Sequence, residues 1–179
     1  RRIAREGETT CDMAAAAARA AMADAGVTAA DVDVILLSTA TPDRLLPATA
    51  VDVQHALGAT GAAAMDVGAA CSGWLYALTL GEGLVAAGTA RTVLVIGAEK
   101  MSAIVDWQDR ATCVLFGDGA GAAVLQPATG DGTGILSAYM KSDGELAELL
   151  WRPAGGATTP FSLPVLEERS SYVKMAGRE

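Results

Sequence analysis

Three apolar runs of strand length, spaced by helix-forming stretches, constrain this chain most. They are VDVILLSTA (Val32 to Ala40), AAAMDV (Ala62 to Val67) and RTVLVIGAE (Arg91 to Glu99). Each is apolar without a clean polar-out alternation, which is the pattern of strands buried on both faces. Thr49 to Leu57, closed by Gly58, reads as a short helix between the first two runs. Cys71 to Ala87 reads as a longer helix between the second and third. Strand, helix, strand, helix, strand implies parallel strands with helices packed over the sheet.

Upstream, DMAAAAARAAMADA (Asp12 to Ala25) predicts a helix, with Thr10 or Cys11 near its cap and Gly26 ending it. TPDRLLPAT is loop, punctuated by Pro42 and Pro47. Downstream, GAGAAVLQP and GILSAYMKSD read as adjacent strands in an antiparallel edge or hairpin. Leu150 to Pro164 holds three of the six prolines and is read as an irregular loop. RRIAREGE lacks a starting Met and a first strand, while YVKMAGRE looks like the opening turn of a helix. Both ends therefore read as cuts through a longer protein, and no internal repeat is found.

The 179 residues suffice for one domain, or for one half of a two-part domain. Hydrophobic residues make up 51% and charged residues 19%, which is globular composition. The net charge of -8 argues against a nucleic-acid surface, which needs clustered Lys and Arg. Three cysteines without framework spacing argue against a disulfide scaffold and favour a reducing, cytoplasmic setting. With no CxxC pair and His55 as the only histidine, no metal site is expected. No stretch is long and apolar enough to predict a membrane span, and none resembles a signal peptide.

MDVGAACSGWLYAL, Met65 to Leu78, places Cys71 where a strand gives way to a helix. Two readings are open. A cysteine is often a small buried hydrophobe. At the first turn of a helix, however, free N–H groups and the helix dipole favour a thiolate, and small flanking residues admit a substrate carbonyl. The same N–H groups are candidate oxyanion donors. FGDGAGAAVL, Phe116 to Leu125, tempts a phosphate-loop reading, but it runs into a strand-like segment and lacks a following Lys-Ser/Thr. Tight turns beside crowded backbone are expected there instead. His55 is read as a helix-surface or interface residue, and Cys11 and Cys113 as structural. DWQDRAT, Asp106 to Thr112, is a solvated turn, or one in which Trp107 and Arg110 grip a phosphorylated or nucleotide-bearing ligand.

In this order and spacing, AACSGW, DWQDRAT, FGDGAGAAVL and SDGELAELL resemble the N-terminal half of β-ketoacyl-ACP synthase III, of the thiolase-like superfamily. The resemblance runs from RRIAREGET to KMAGRE. It implies an α/β fold that is one half of a five-layered αβαβα arrangement, with a mixed, mostly parallel sheet. Residues 1–179 would be that N-terminal half, truncated at both ends. The helix beginning at Cys71 would be buried in the middle of the whole, in keeping with the apolar WLYALTLGEGLVAAG.

The resemblance further implies a ping-pong reaction with Cys71 as nucleophile. The cysteine takes an acyl group from acyl-CoA, and decarboxylative condensation with malonyl-ACP then yields β-ketoacyl-ACP. Acyl-CoA is a substrate, and no cofactor is implied. Family donors to the enolate, a histidine and an asparagine, lie in the C-terminal half, so this polypeptide alone is expected not to condense. Arg110 matches an arginine at the nucleotide end of CoA, with Trp107 beside it; other CoA contacts would precede Arg1. Leu46 sits where the family sends a residue across a homodimer interface into the partner's acyl pocket. Several members that use acetyl-CoA carry a large aromatic there, so leucine leaves primer length open. Met101, Leu115 and Phe116 line or flank the same pocket. Rivals remain: a related enzyme with a different second step, either an acyltransferase passing the acyl group to a hydroxyl or amine or a thiolase-type condensing enzyme without decarboxylation, and a half-domain that only binds a partner. With the matching half absent, a broad apolar helix face should be exposed.

Overall fold

The computed structural model describes residues 2–130 and 132–177. Two compact units emerge. The larger comprises Ala4–Glu99 and Gly119–Met140, and the smaller Arg1–Ile3, Lys100–Asp118 and Lys141–Glu179.

In the larger unit the order is α1 (Thr10–Ala25), β1 (Val34–Ser38), α2 (Thr49–Leu57), β2 (Ala63–Val67), α3 (Gly73–Ala86), β3 (Val93–Lys100) and β4 (Asp118–Leu125). The sheet runs β2-β1-β3-β4, and β1 pairs in parallel with both β2 and β3. Strand periodicity divides the core in two. Ile35, Leu37, Leu94 and Ile96 face α1 and α2, meeting Ala14, Ala18, Ala50 and Val53. Val34, Leu36, Val93 and Val95 face α3, meeting Ala77 with Trp74 and Leu78.

Helix ends follow local chemistry. Thr9, not Thr10 or Cys11, caps α1: its side chain accepts from the Asp12 N–H while the Asp12 carboxylate accepts from the Thr9 N–H, a capping box. Gly26 at φ 66° and Gly58 at φ 72° close α1 and α2 in the left-handed conformation that glycine tolerates. Ala48 offers α2 no side-chain cap; the Asp66 carboxylate on β2 serves instead, accepting from the Thr49 and Ala50 N–H groups at 2.9 and 2.8 Å.

Several expectations are corrected. β2 is not doubly buried: it lies at the sheet edge, and Met65 is 46% exposed. GILSAYMKSD forms no strand, so the expected hairpin is absent; only β4 takes a place in the sheet. Gly119 and Gly121 sit in β4 with open space where a Cβ would stand, so they mark neither a tight turn nor crowding.

The smaller unit holds β5 (Leu150–Trp151), α4 (Leu163–Glu167) and β6 (Lys174–Met175), with β5 and β6 antiparallel. The segment expected to open a helix at YVKMAGRE thus supplies a strand. The pairing of Leu150 with Met175 takes up backbone groups a helix would need. Arg178 and Glu179 of that stretch lie outside the described residues.

Candidate active site

Cys71 is exposed, whereas Cys11 and Cys113 are half-buried. It does not open the α-helix directly. Ala70–Ser72 form a 3-10 turn, and α3 follows at Gly73. Ala70, at φ 44°, is left-handed, which costs a residue with a Cβ about 1–2 kcal/mol. Strain of this kind is characteristic of functional sites. The Ser72 N–H bonds the Ala69 carbonyl at 3.1 Å and the Gly73 N–H bonds that of Ala70, so these two N–H groups of the first turn are engaged within it.

Gly73 explains how the turn is seated. A Cβ there would stand 2.1 Å from Ser38 Oγ and 3.4 Å from the Val67 carbonyl oxygen. Ser38 and Val67 end β1 and β2, so the start of α3 lies on the carboxyl ends of two parallel strands. That edge is where open α/β sheets bind ligands. Gly73, Ala77 and Gly81 are the buried residues of α3, a stripe at helical spacing that brings the helix close to the sheet. Its other face leaves Leu75 at 61% and Leu80 at 47% exposure, as expected from its apolar sequence.

The loop after β1 is tied down at its base and free at its tip. Glu99 accepts from the Ala40 N–H and the Thr41 hydroxyl, both at 2.8 Å. Asp43 accepts from the N–H groups of Thr10 and Cys11 at the start of α1. Leu45 and Leu46 project outward at 77% and 84% exposure. Burial, then nearby Asp43, pushes the Cys11 thiol up to about 11. His55 lies exposed on α2, as expected.

In the smaller unit, DWQDRAT is a sequence of turns whose two carboxylates point inward. Asp106 accepts from the Gln108 N–H at 2.8 Å and pairs with the Arg169 guanidinium, whose Nε lies 2.7 Å away. Asp109 accepts from the Ala111 N–H and the Thr112 hydroxyl. Trp107 stays half-exposed, its indole donating to the Ser102 carbonyl at 3.3 Å. Arg110 is exposed, and among the described residues no ion pair involves it. Leu115 is 59% exposed; Met101 and Phe116 are half-buried. The structure therefore gathers Met101, Trp107, Arg110, Leu115 and Phe116 in the smaller unit and assigns Leu46 and Cys71 to the larger. A cleft of about 710 Å³ in the larger unit, lined by Glu82, Val124 and Ile135 among others, contains none of them.

Sequence reasoning missed Ala70, Asp66 and Ser102. Alanine carries no signal for a left-handed backbone, and the partners of Asp66 and Ser102 are 16 or 17 residues away in the chain.

A parallel-stranded sheet with a thiol at its carboxyl edge, mounted before an apolar helix, defines an α/β protein of the thiolase-like kind. Residues 65–144 match the model of the 3-oxoacyl-[acyl-carrier-protein] synthase III family. The chain is 53% identical over 182 residues to the β-ketoacyl-[acyl-carrier-protein] synthase III of Rhodospirillum centenum, an alignment covering 100% of this chain and 54% of that protein. The crystal structure of the 3-oxoacyl-[acyl-carrier-protein] synthase III of Aquifex aeolicus superimposes with a TM-score of 0.87 at 44% identity, over 99% of this chain and 52% of that one. The priming β-ketosynthase of the R1128 polyketide pathway gives 0.83 at 34% identity, over 99% and 52%. Over its whole length the chain corresponds to the N-terminal half of a β-ketoacyl-ACP synthase III-like protein. It spans about half the length of the curated relatives it matches.

Proposed function

We propose that this chain supplies the nucleophilic half of a condensing enzyme that initiates acyl chains. The Cys71 sulfur attacks the thioester carbonyl of an acyl-CoA, a new carbon–sulfur bond forms, and CoA leaves as its thiol. Malonyl-ACP then loses carbon dioxide, its enolate carbon attacks the enzyme thioester, and the Cys71 thiolate departs. The observation that carries this reading is the exposed thiol beside left-handed Ala70, on the carboxyl edge of β1 and β2. The names of the relatives, synthases that act with an acyl carrier protein, support it. Acyl-CoA and acyl carrier protein are the proposed partners, a homodimer the proposed assembly, and the cytoplasm the proposed location. Among the described residues no helix is long and apolar enough to cross a membrane.

Trp107 and Arg110 are proposed to hold the nucleotide end of CoA. Charge distribution supports this. The segments of the smaller unit carry nine Lys or Arg and nine Asp or Glu, whereas the rest of the chain carries four and twelve. An anionic ligand is repelled less where the balance is zero. Leu46 is proposed to reach an acyl pocket across the dimer, with Met101, Leu115 and Phe116 at that pocket's wall.

The test is intact-mass measurement after incubation with a short acyl-CoA. One acyl adduct is expected, hydroxylamine-labile as a thioester is, and absent in Cys71→Ala. An adduct that persists in Cys71→Ala refutes Cys71 as the nucleophile.

A further inference from the structure

The FGDGAG segment is absorbed neither by the nucleophile nor by the ligand-facing turns, and a Cβ at Gly119 or Gly121 would meet nothing. Its aspartate does. Asp118 Oδ1 accepts from the Ser102 N–H at 2.8 Å, and Oδ2 accepts from the Ser102 hydroxyl at 2.6 Å. Two bonds from one carboxylate to the N–H and the side chain of one residue fix that residue's backbone, not merely its rotamer. Ser102 is the middle residue of a three-residue 3-10 turn, Met101–Ala103, an element too short to hold its own geometry. Its carbonyl oxygen is the acceptor for Trp107 Nε1. The path is therefore continuous from carboxylate to serine to indole. Trp107 is 50% exposed, so a ligand can reach its side chain.

We propose that Asp118 is a positioning residue which, through Ser102, sets the Trp107 indole as a pre-oriented platform for the nucleotide end of CoA. The inference rests on the nucleotide-binding reading of Trp107 and Arg110 and goes beyond it, because Asp118 itself touches no ligand. A ring already held in its stacking orientation loses less freedom when a base lands on it, so release of the ring weakens binding without removing any ligand contact.

The experiment uses the protein with Trp74→Phe and Trp151→Phe, leaving Trp107 as its one tryptophan. Time-resolved anisotropy reads ring motion, and CoA titration reads affinity. In Asp118→Ala, fast local depolarisation of Trp107 is expected to appear, its emission to shift to the red, and the Kd for CoA to rise about five- to tenfold, the loss expected when one more side chain must be immobilised on binding. Asp118→Asn retains one acceptor for the Ser102 N–H and should restore most of the anisotropy. If Asp118→Ala loses its circular dichroism signal, Asp118→Asn against the parent carries the comparison in the same direction, with a smaller loss of anisotropy expected because one of the two bonds to Ser102 is kept. Anisotropy unchanged in a folded variant overturns the link from Asp118 to Trp107. Anisotropy lost while the Kd stays at the parent value overturns the role in binding. A parent that does not bind CoA at all sinks the nucleotide reading instead, and the anisotropy still decides the positioning link.

Discussion

The two units of this chain are held together by different forces. In the larger, Ile35, Leu36, Leu37, Val53, Val93, Leu94, Val95 and Ile96 are all fully buried. In the smaller, the buried apolar side chains are Ile104, Val105, Ala154, Val165 and Val173, while Phe161, Leu163 and Leu166 stand exposed. Polar ties carry more there: Asp106 with Arg169, Asp118 with Ser102, and Arg152 Nε donating to the Ser171 carbonyl at 2.7 Å. Arg152 also lies over the Phe161 ring, 5.5 Å from its centroid. The contrast teaches where each unit is vulnerable. The unit holding the nucleophile should fail through cavities, and the unit holding the proposed nucleotide contacts should fail through lost charges.

The largest expected effect tests the first half of that contrast. Leu94→Ala removes a fully buried side chain from the sheet face under α1 and α2. A cavity there should cost about 2–5 kcal/mol, read as a lower urea midpoint with an unchanged slope. A loss below about 1 kcal/mol would mean that the larger unit is not held by burial.

Arg169→Met tests the other half. The guanidinium beside Asp106, the main cause, holds its carboxyl well below the usual carboxylate range. A depressed acid contributes stability above its unfolded pKa, and that stability is lost as pH falls from about 4. Without Arg169 a buried carboxylate loses its charged partner, at a cost of about 1–3 kcal/mol near neutral pH. The acid-dependent loss below about pH 4 should shrink in the variant, because the tie that acid breaks is already gone. Hydrogen exchange should show the effect first in the 104–118 and 150–175 segments. Faster exchange in β1 and β3 alone would erase the distinction between the units.

Legibility from sequence follows the same division. Strands β1 and β3 were readable because burial on both faces leaves a continuous apolar signature. The bounds of α2 were readable because Pro47 precedes it and Gly58 follows it. The capping box at Thr9 and Asp12 was also written in the chain, in the spacing TTCD, though the cap was placed one or two residues late. What depends on a distant partner was not readable. GILSAYMKSD has strand-like composition, yet pairing is non-local and no strand forms. At the site, the junction before α3 and the small residues around Cys71 were legible. The left-handed turn at Ala70 was not, nor were the ties from Asp66 to α2 and from Asp118 to Ser102.

Gly73→Ala examines the place where burial serves the nucleophile. The new methyl meets the Ser38 hydroxyl at 2.1 Å and Ser38 Cβ at 3.2 Å. The hydroxyl can rotate, but Cβ and the strand cannot, so the start of α3 must lift. Overpacking of this kind costs about 1–3 kcal/mol. Ser38→Ala in the same chain removes the closer contact and should recover part of the loss. The acylation rate at Cys71 should fall along with stability in the single variant and return in the double. Acylation unaffected by Gly73→Ala would separate the seat of the helix from the reactivity of the thiol.

Glu99 gives the smallest effect and reverses the sign seen at Asp106. Burial, the main cause, raises its carboxyl above the ordinary glutamate value of 4.5, against the bonds from Ala40 and Thr41 that lower it. A raised acid contributes stability that is present in full below its unfolded pKa and lost as pH rises through its folded pKa. Acid should therefore strengthen this tie in the larger unit while it weakens the Asp106 tie in the smaller. Glu99→Gln keeps an acceptor for the Ala40 N–H and removes the titration. Its urea midpoint, compared with wild type from pH 4 to pH 8, should gain on the wild type as pH rises, by no more than about 1 kcal/mol. Parallel curves would show that Glu99 is solvated well enough to ionise freely, and the opposition between the two carboxylates would fall.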